Sequence, residues 1–326
     1  MENFAPQIDL WAQKKYINGA IIGEVGAQTA TVFCRGVHAT EKGYEQRLIL
    51  PDDLFDIASL TKVVGTTTRV LQLFDAHILE PTDLINPYLS FSMAPVQIQD
   101  LLLHTSGLPG DLEDKSQVTT FYIQNFLANW QPPAEKATTY SDLGYILLGW
   151  LIESVDGCTL EESFAKNIFR PLSMHHTTYF PKKDPNNSIV PTEHTTSRGL
   201  ILGEVHDSKA WQLKSPAGSA GLFSTVSDLI RFCRAFFENE NPILSPMILE
   251  KLQSLDVHHR TYGWEWLGGS GRPSVLFHTG FTGTSIGIDI ENQRALIFLT
   301  NRVYYGRNNL EFITERRAFY KDYFQL

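Results

Sequence analysis

The sequence predicts an α+β fold in which one antiparallel sheet is built from both ends of the chain. Two observations carry this prediction. Segments of strand-like composition, bounded by turn residues, lie at 20–37 and again at 262–300. Between them apolar residues recur at helical spacing, and strands do not alternate with helices. A helical region inserted into an antiparallel sheet follows from this order.

The individual elements are predicted in chain order. Residues 4–17 have the spacing of a helix, and residues 20–25 and 29–37 read as a β-hairpin. The middle of the chain predicts helices at 59–76, 97–104, 118–130, 143–155, 159–170, 226–237 and 245–255. Residues 171–223 are rich in Pro, Thr, Asn and Gly and predict mostly irregular structure. The last predicted elements are strands at 262–267, 274–277, 284–290 and 295–300, and a helix at 310–323.

Composition limits the classes of partner. The 326 residues are 43% hydrophobic and 19% charged, which is typical of a globular chain with a large core. A net charge of −9 argues against nucleic acid and anionic membranes as main partners. No apolar run is long enough to predict a membrane span. The sequence gives no indication of oligomeric state.

Cofactors and disulfides are not expected. The chain contains no H-E-x-x-H, no P-loop and no dinucleotide-binding fingerprint, so we predict neither metal nor cofactor. Cys34, Cys158 and Cys233 are widely spaced, which favours free thiols in a reducing compartment. The first ten residues lack the features of a signal peptide. We therefore expect a cytoplasmic protein, with the periplasm as the alternative if a leader was removed.

A serine and a lysine lie three residues apart in Ser59-Leu-Thr-Lys62, at the predicted start of a helix. Residues at this spacing are neighbours on a helix surface, so the lysine amine could reach the serine hydroxyl. The exposed N–H groups of a helix start also favour developing negative charge. The same spacing recurs at Ser163–Lys166, where Thr159 and Glu162 predict a capping box in an ordinary surface helix. Spacing alone does not separate the two copies.

Two further polar clusters follow along the chain. Tyr140-Ser-Asp142 lies directly before a predicted helix, where Tyr140 could move a proton or the cluster could simply cap the helix. His278-Thr279-Gly280 ends a predicted strand, and the next N–H belongs to Phe281. That N–H and the N–H of Ser59 could form an oxyanion hole, although a plain β-turn would have the same sequence.

A competing nucleophile is present in Gly283-Thr-Ser285-Ile-Gly287, which matches G-x-S-x-G. The nucleophile elbow of α/β-hydrolases requires a strand, a sharp turn and then a helix. Here Ser285 is followed by residues that alternate like a strand. The sequence therefore favours Ser59 over Ser285.

The three clusters, in this order, resemble the S-x-x-K, Y-x-N and K-T-G motifs of the penicillin-recognising serine enzymes. The likeness is closest to the class C β-lactamase and esterase branch, and it extends from about residue 20 to past 300. Further stretches that resemble the family are Leu101–Pro109, Gly203–Asp207, Ala217–Ser224 and Thr300–Arg302. The resemblance implies a β-lactamase/transpeptidase-like fold in one domain, 1–326. Its α/β lobe would span about 1–55 and 260–326, and its helical lobe about 56–259.

The resemblance also implies a mechanism. Ser59 would be acylated, Lys62 and Tyr140 would share the general-base role, and Lys62 would be neutral part of the time. Asp142, His278, Thr279 and Gly280 would bind substrate, and His278 would titrate near neutral pH. His278 and Asp142 depart from the usual lysine and asparagine, and histidine is often seen there in esterases and D-amino-acid peptidases of the family.

The predicted substrate is a small ester, amide or peptide. An esterase or amidase is the main interpretation, and a D-amino-acid peptidase, a carboxypeptidase or a weak β-lactamase is the alternative. A third possibility is a catalytically impaired module that binds penicillin or another ligand.

Overall fold

The structure is a computed structural model that describes residues 4–42, 47–113, 117–135, 137–238, 241–268 and 275–326. Its strands are β1 (Gly19–Gly26), β2 (Ala30–Gly36), β3 (Phe55–Asp56), β4 (Glu193–Thr195), β5 (Gly199–Ile201), β6 (Phe223–Ser224), β7 (Glu265–Trp266), β8 (Leu276–Thr279), β9 (Ser285–Asp289) and β10 (Arg294–Thr300). Its α-helices are α1 (Ala5–Gln13), α2 (Thr68–Asp75), α3 (Ile98–Leu102), α4 (Thr120–Asn129), α5 (Asp142–Asp156), α6 (Leu160–Phe164), α7 (Ser208–Leu213), α8 (Val226–Ala235), α9 (Pro246–Ser254) and α10 (Leu310–Phe324).

Six strands form the main sheet, in the order β2-β1-β10-β9-β8-β7. Each strand pairs antiparallel with its neighbour, and Ala20 of β1 lies opposite Thr300 of β10. Strands from the two ends of the chain therefore meet at the centre of the sheet, which confirms the predicted fold class. The boundaries given above for the two lobes stay a prediction.

Helices cover both faces of this sheet. On one face Trp11 of α1 makes edge-to-face contacts with Phe298 and Phe312, at ring-centroid distances of 5.6 and 5.1 Å. On the other face α8 packs on β1 and β10. Gly23 of β1 permits this close approach, because a Cβ there would lie 2.8 Å from the Val226 methyl group.

Three of the inserted helices have the end signals that the sequence predicts. The Thr225 side chain accepts from the Asp228 N–H at the start of α8, and Gly157 ends α5 in the left-handed conformation. Thr159 and Glu162 form the expected capping box at α6. The buried face of α5 forms the centre of the helical region. The three cysteines are free thiols, as predicted.

Residues 171–223 are mostly irregular, as predicted, and they also contain the short β4–β5 hairpin, helix α7 and the start of strand β6. One prediction about local structure was wrong. The strand predicted at 262–267 is shorter, since Gly263 has a φ of +75° and Trp264 donates back to the Thr261 carbonyl in a turn. Residue 274 of the strand predicted at 274–277 lies outside the described residues.

The helices can be compared with the length and apolar composition that a membrane span requires. No single helix in the described ranges has both the length and the apolar composition needed to cross a bilayer. A pair of helices, Asp142–Asp156 and Leu160–Phe169, meets these two criteria only when taken together, with a bend of 74° between them.

Candidate active site

Ser59 lies in a tight 3₁₀ turn, Ala58–Leu60, between β3 and the helical segment that begins at Lys62. Pairing of β3 with β6 fixes the chain before this turn. Ala58 is held at a φ of +46°, and its N–H donates to the Asp56 carboxylate at 2.8 Å. A left-handed alanine costs about 1 to 2 kcal/mol and persists only where its surroundings impose it. The strained residue thus lies directly before the candidate nucleophile.

Lys62 is completely buried and directs its ammonium group at three oxygens. Its Nζ lies 3.0 Å from the Ser59 Oγ, 2.7 Å from the Ser219 carbonyl oxygen and 2.7 Å from the Asp142 Oδ1. An ammonium has three N–H donors, and the Tyr140 hydroxyl is a further hydrogen-bond partner beside these oxygens. The pairing of Ser59 with Lys62 that the spacing predicts is therefore present.

The charge state of Lys62 differs from the expectation. Burial by itself would lower the pKa of Lys62, but the Asp142 carboxylate and the Tyr140 hydroxyl outweigh it and raise that pKa above its ordinary value. Lys62 is consequently an ammonium at neutral pH and donates to Ser59. The prediction that its surroundings keep Lys62 neutral part of the time was wrong, because Asp142 is among those surroundings and acts as a counter-ion.

Asp142, at the first residue of α5, lies between two lysines. Its Oδ1 pairs with Lys62, and its Oδ2 lies 3.0 Å from the Nζ of Lys209 on α7. Burial opposes ionisation, yet the two ammonium groups hold the pKa of Asp142 well below its ordinary value. Both oxygens of its carboxylate are thus ion-paired within the protein, at the wall of the cavity.

Lys209 is the site residue that sequence reasoning missed. Its side chain is 5% exposed and also pairs with Asp111 and Asp207, at 3.3 and 3.5 Å. The Asp207 side chain caps α7 by accepting from the Lys209 and Ala210 N–H groups. Asp207 directly before Ser208–Leu213 is a helix-start signal that could have located α7. No pattern in the sequence predicts that Lys209 of α7 pairs with Asp142 of α5.

Tyr140 is 38% exposed and lies beside Lys62, whose Nζ is 5.0 Å from the Tyr140 ring centre. Buried His104 holds this loop in three ways. Its carbonyl accepts from the Thr139 N–H at 2.9 Å, its Nδ1 accepts from the Ser141 N–H at 3.1 Å, and its ring packs on Tyr140 at 4.5 Å. Accepting at Nδ1 requires the neutral ring, and burial lowers the pKa of His104 accordingly.

His278 is the residue before the end of β8, and its buried ring lies 6.3 Å from the Tyr140 ring. Burial, followed by the nearby charges of Lys62 and Arg260, lowers the pKa of His278 well below its ordinary value. His278 is therefore neutral at neutral pH, and the expectation that it titrates there was wrong. Thr279 is half-buried beside it and pairs with Ser285 of β9.

Gly280 allows β8 to approach the Ser59 turn closely. A Cβ on Gly280 would lie 2.1 Å from the Thr284 Oγ1 and 2.7 Å from the Ile57 carbonyl oxygen. The Gly280 carbonyl accepts from the Gly283 N–H at 3.0 Å. Because the C=O and N–H of a trans peptide point in opposite directions, the Phe281 N–H points away from this turn.

The two candidate oxyanion donors are the backbone N–H groups of Ser59 and Phe281. Among the described residues, the N–H groups of Ser59 and Phe281 have no hydrogen-bond acceptor. The buried Arg302 side chain donates two hydrogen bonds to the Phe281 carbonyl, at 3.0 and 3.2 Å, and these hold the Phe281 backbone in place. The Phe281 ring, 48% exposed, stacks on His206, which in turn bonds Glu193.

Some of these groups line a cavity of about 270 Å³, whereas Lys62, His278, Thr279 and Gly280 are not among its lining residues. It is lined by Ala58, Ser59, Asp111, Tyr140, Asp142, His206, Asp207, Ser208, Lys209, Ala220, Phe281 and Arg307. A larger cavity of about 430 Å³, between Phe180 and Trp211, shares only Ala220 with it. Charged and hydrogen-bonding groups thus converge on the smaller cavity.

The two competing serines are in different settings. The Ser163 Oγ donates to the Asp156 carboxylate at 2.5 Å, and Lys166 is exposed. Ser285 is fully buried in β9, where the sequence predicts a strand rather than a nucleophile elbow. Of the three serines Ser59, Ser163 and Ser285, Ser59 is the one with a lysine amine beside its hydroxyl at the wall of this cavity.

Comparisons with known proteins agree with this arrangement. A protein-family model described as Beta-lactamase matches residues 23–317. A protein of Escherichia coli O157:H7 named "Putative D-alanyl-D-alanine carboxypeptidase" is 30% identical over 302 residues, which cover 76% of this chain and 69% of that protein.

Solved structures share the fold. EstCE1, described as a hydrolase with promiscuous acyltransferase activity, superposes with a TM-score of 0.75 at 18% identity, covering 91% of this chain and 92% of that one. D-alanine carboxypeptidase AmpC from Burkholderia cenocepacia superposes with a TM-score of 0.74 at 19% identity, covering 96% of both chains. The chain belongs to the β-lactamase family and is a serine hydrolase of that family.

Proposed function

We propose that the protein is an esterase or amidase that forms an acyl-enzyme on Ser59. The observation that carries this proposal is the 3.0 Å contact between the Ser59 Oγ and the buried Lys62 ammonium, at the wall of the cavity. Substrate enters this cavity with its carbonyl carbon facing the Ser59 Oγ. The oxygen of that carbonyl points at the N–H groups of Ser59 and Phe281.

In this mechanism Tyr140 acts as a phenolate beside the Lys62 ammonium, and its oxygen accepts the Ser59 proton. Lys62 is already protonated, so it cannot take another proton, and instead its positive charge stabilises the oxygens of Ser59 and Tyr140 as negative charge develops. Tyr140 reaches the cavity wall and is partly exposed, which gives it access to substrate. The hydrogen bond between base and nucleophile forms as the substrate binds.

The proton is then passed on to the leaving group. The Ser59 Oγ bonds the carbonyl carbon, the bond to the leaving oxygen or nitrogen breaks, and Tyr140 returns its proton to that atom. A water molecule next attacks the acyl-enzyme, giving one proton to Tyr140 and releasing the acid. Tyr140 then returns the proton to the Ser59 Oγ, which restores the starting state.

The second candidate is a peptidase or carboxypeptidase for peptides that end in D-amino acids. The name of the Escherichia coli relative supports it, as does the family membership. The third candidate is a module that binds ligands without hydrolysing them. In that case neutral His278 and ion-paired Asp142 have replaced groups that catalysis requires. All three candidates place the ligand beside Ser59. The two enzyme candidates differ in the chemistry of the leaving group, and the binding module differs from both because it does not turn the ligand over.

Steady-state hydrolysis of p-nitrophenyl butyrate tests the proposal. We expect turnover by the wild type and a loss of at least 1,000-fold in kcat/KM for Ser59→Ala, because the covalent route is removed. Ser163→Ala is the matched control, since Ser163 belongs to the other S-x-x-K sequence, and it should retain the wild-type rate. A wild type with no turnover of esters or of D-amino-acid peptides would favour the binding module.

A further inference from the structure

A second ammonium group contacts the Asp142 carboxylate at the wall of the Ser59 cavity. The Asp142 Oδ1 lies 2.7 Å from the Lys62 Nζ, and its Oδ2 lies 3.0 Å from the Lys209 Nζ. Lys209 comes from α7, its side chain is 5% exposed, and it lines the cavity together with Asp142. Lys62, Asp142 and Lys209 thus form a row in which one anion lies between two cations.

Lys209 is charged although it is buried. Burial by itself would lower its pKa, but the carboxylates of Asp207 and Asp142 outweigh burial and raise that pKa above its ordinary value. Asp111 and Asp207 pair with Lys209 at 3.3 and 3.5 Å, and their side chains are 39% and 24% exposed. The Asp142 contact is shorter and its carboxylate is less exposed, so solvent screens it least of the three.

Tyr140 is the group on which these charges act, because it is a phenolate in the mechanism proposed above. Two cations lie near its ring, with the Lys62 Nζ at 5.0 Å and the Arg260 guanidinium carbon at 5.9 Å from the ring centre. Three further titratable groups near the ring are neutral because burial opposes their charged forms, and these groups are His104, His278 and Tyr145. The phenolate therefore depends on cations held nearby.

Asp142 opposes the phenolate, because its negative charge offsets the positive charge of Lys62. The resemblance described above leads one to expect asparagine at this position, which would leave the charge of Lys62 undiminished. Lys62 and Asp142 alone have a net charge of zero. Lys209 adds one positive charge beside Asp142, so the row as a whole is cationic.

We propose that Lys209 is a positioning residue that compensates the charge of Asp142 and so allows the charge of Lys62 to support the Tyr140 phenolate. The proposal rests on the function proposed for Ser59, in which Tyr140 accepts the serine proton. Lys209 acts through the row of charges rather than on the reacting atoms. It supplies the compensation that a carboxylate at position 142 requires and an amide would not.

The pH dependence of kcat/KM for p-nitrophenyl butyrate tests this proposal. We expect the midpoint of the acid limb to lie about one pH unit higher in Lys209→Met than in the wild type, because the phenolate loses the support of one positive charge. Below the midpoint kcat/KM should fall about tenfold, and on the plateau it should stay within about threefold of wild type. Lys209→Arg keeps the charge and should keep the wild-type midpoint.

The midpoint does not depend on the fraction of enzyme that is folded, so a less stable Lys209→Met still gives the comparison. Lys209→Gln removes the same charge and retains a hydrogen-bond donor, so it serves if Lys209→Met does not fold. Lys182→Met is the matched control, because Lys182 pairs with Glu204 at 3.2 Å and is not among the residues that line the Ser59 cavity. Its midpoint should equal that of the wild type.

The double variant Asp142→Asn/Lys209→Met separates charge compensation from a purely structural role. It removes one charge of each sign, so its midpoint should return to within about 0.3 pH units of wild type. An unshifted midpoint in Lys209→Met, an equal loss of kcat/KM at every pH, or a double variant that keeps the raised midpoint would overturn the proposal. Failure of the Ser59 proposal is distinct, because hydrolysis would then survive Ser59→Ala.

Discussion

The Nζ of Lys62 lies 2.7 Å from the Oδ1 of Asp142, and this ion pair joins the segment behind Ser59 to the start of α5. Lys62 is fully buried, so without Asp142 its charge would be uncompensated. The pair thus determines that the amine beside Ser59 is an ammonium. It also determines which residue is left to accept the serine proton.

Asp142→Asn should lower both activity and stability. Burial then lowers the pKa of Lys62 without opposition from Asp142, so we expect kcat/KM for p-nitrophenyl butyrate to fall roughly 100-fold. The free energy of unfolding should fall by about 3 kcal/mol, as is usual when one partner of a buried pair is removed. Urea unfolding and steady-state kinetics measure the two effects.

Asp156→Asn is the matched control for that variant. Asp156 pairs with Arg69 at 2.7 Å, with both side chains largely buried, and lies outside the cavity lining. It should lose stability and keep kcat/KM within about threefold of wild type. Equal loss of activity in both variants would indicate that Asp142 acts on folding alone.

The contribution of Asp142 to stability should depend on pH. Because its folded-state pKa is depressed, the stabilisation is present above the unfolded value of about 3.9 and is lost as the pH falls toward the lower folded value. The difference in unfolding free energy between wild type and Asp142→Asn should therefore be smaller at pH 3 than at pH 7. A difference that stays constant, or grows in acid, would contradict the assigned charge state.

His278 should not titrate in the activity profile. Its pKa is lowered well below 6.5 by burial and by Lys62 and Arg260, so the ring stays neutral between pH 6 and pH 8. We expect the pH profiles of kcat/KM for wild type and His278→Gln to have the same shape in this window, whatever their relative height. A rising limb near pH 6.5 that disappears in His278→Gln would show that His278 is charged and discharged during catalysis.

Gly280→Ala tests the oxyanion site. The added Cβ would meet the Thr284 hydroxyl and the Ile57 carbonyl, so β8 must move away from the Ser59 turn. Displacing one oxyanion donor predicts a loss in kcat of about 100-fold or more. Gly26→Ala is the control, because its Cβ would only approach the Thr29 Oγ1 at 3.1 Å, far from this turn in sequence. If Gly280→Ala kept the wild-type kcat, the Phe281 N–H would not be an oxyanion donor.

Much of this architecture could be predicted because its signals are local. The β1–β2 hairpin, the cap at Thr225 and the end of α5 at Gly157 each follow from a few neighbouring residues. The pairing of Ser59 with Lys62 is equally local, since it depends on spacing within one segment.

The charges of the site could not be predicted because they depend on long-range contacts. Burial alone suggests a neutral Lys62, and only the fold places Asp142 beside it and Lys209 on the far side of Asp142. His278 is neutral because it is enclosed near Lys62 and Arg260, which come from other segments. Single-residue chemistry pointed to groups that lie close together in the structure, but it did not predict their protonation states.

The most direct test of the account is mass spectrometry of the protein after reaction with a fluorophosphonate probe. We predict one stoichiometric adduct in the wild type, located on the peptide that contains Ser59, and no adduct in Ser59→Ala. Ser163→Ala should label like the wild type. An adduct on Ser285 or Ser163, or labelling that persists in Ser59→Ala, would contradict the assignment of Ser59 as the nucleophile.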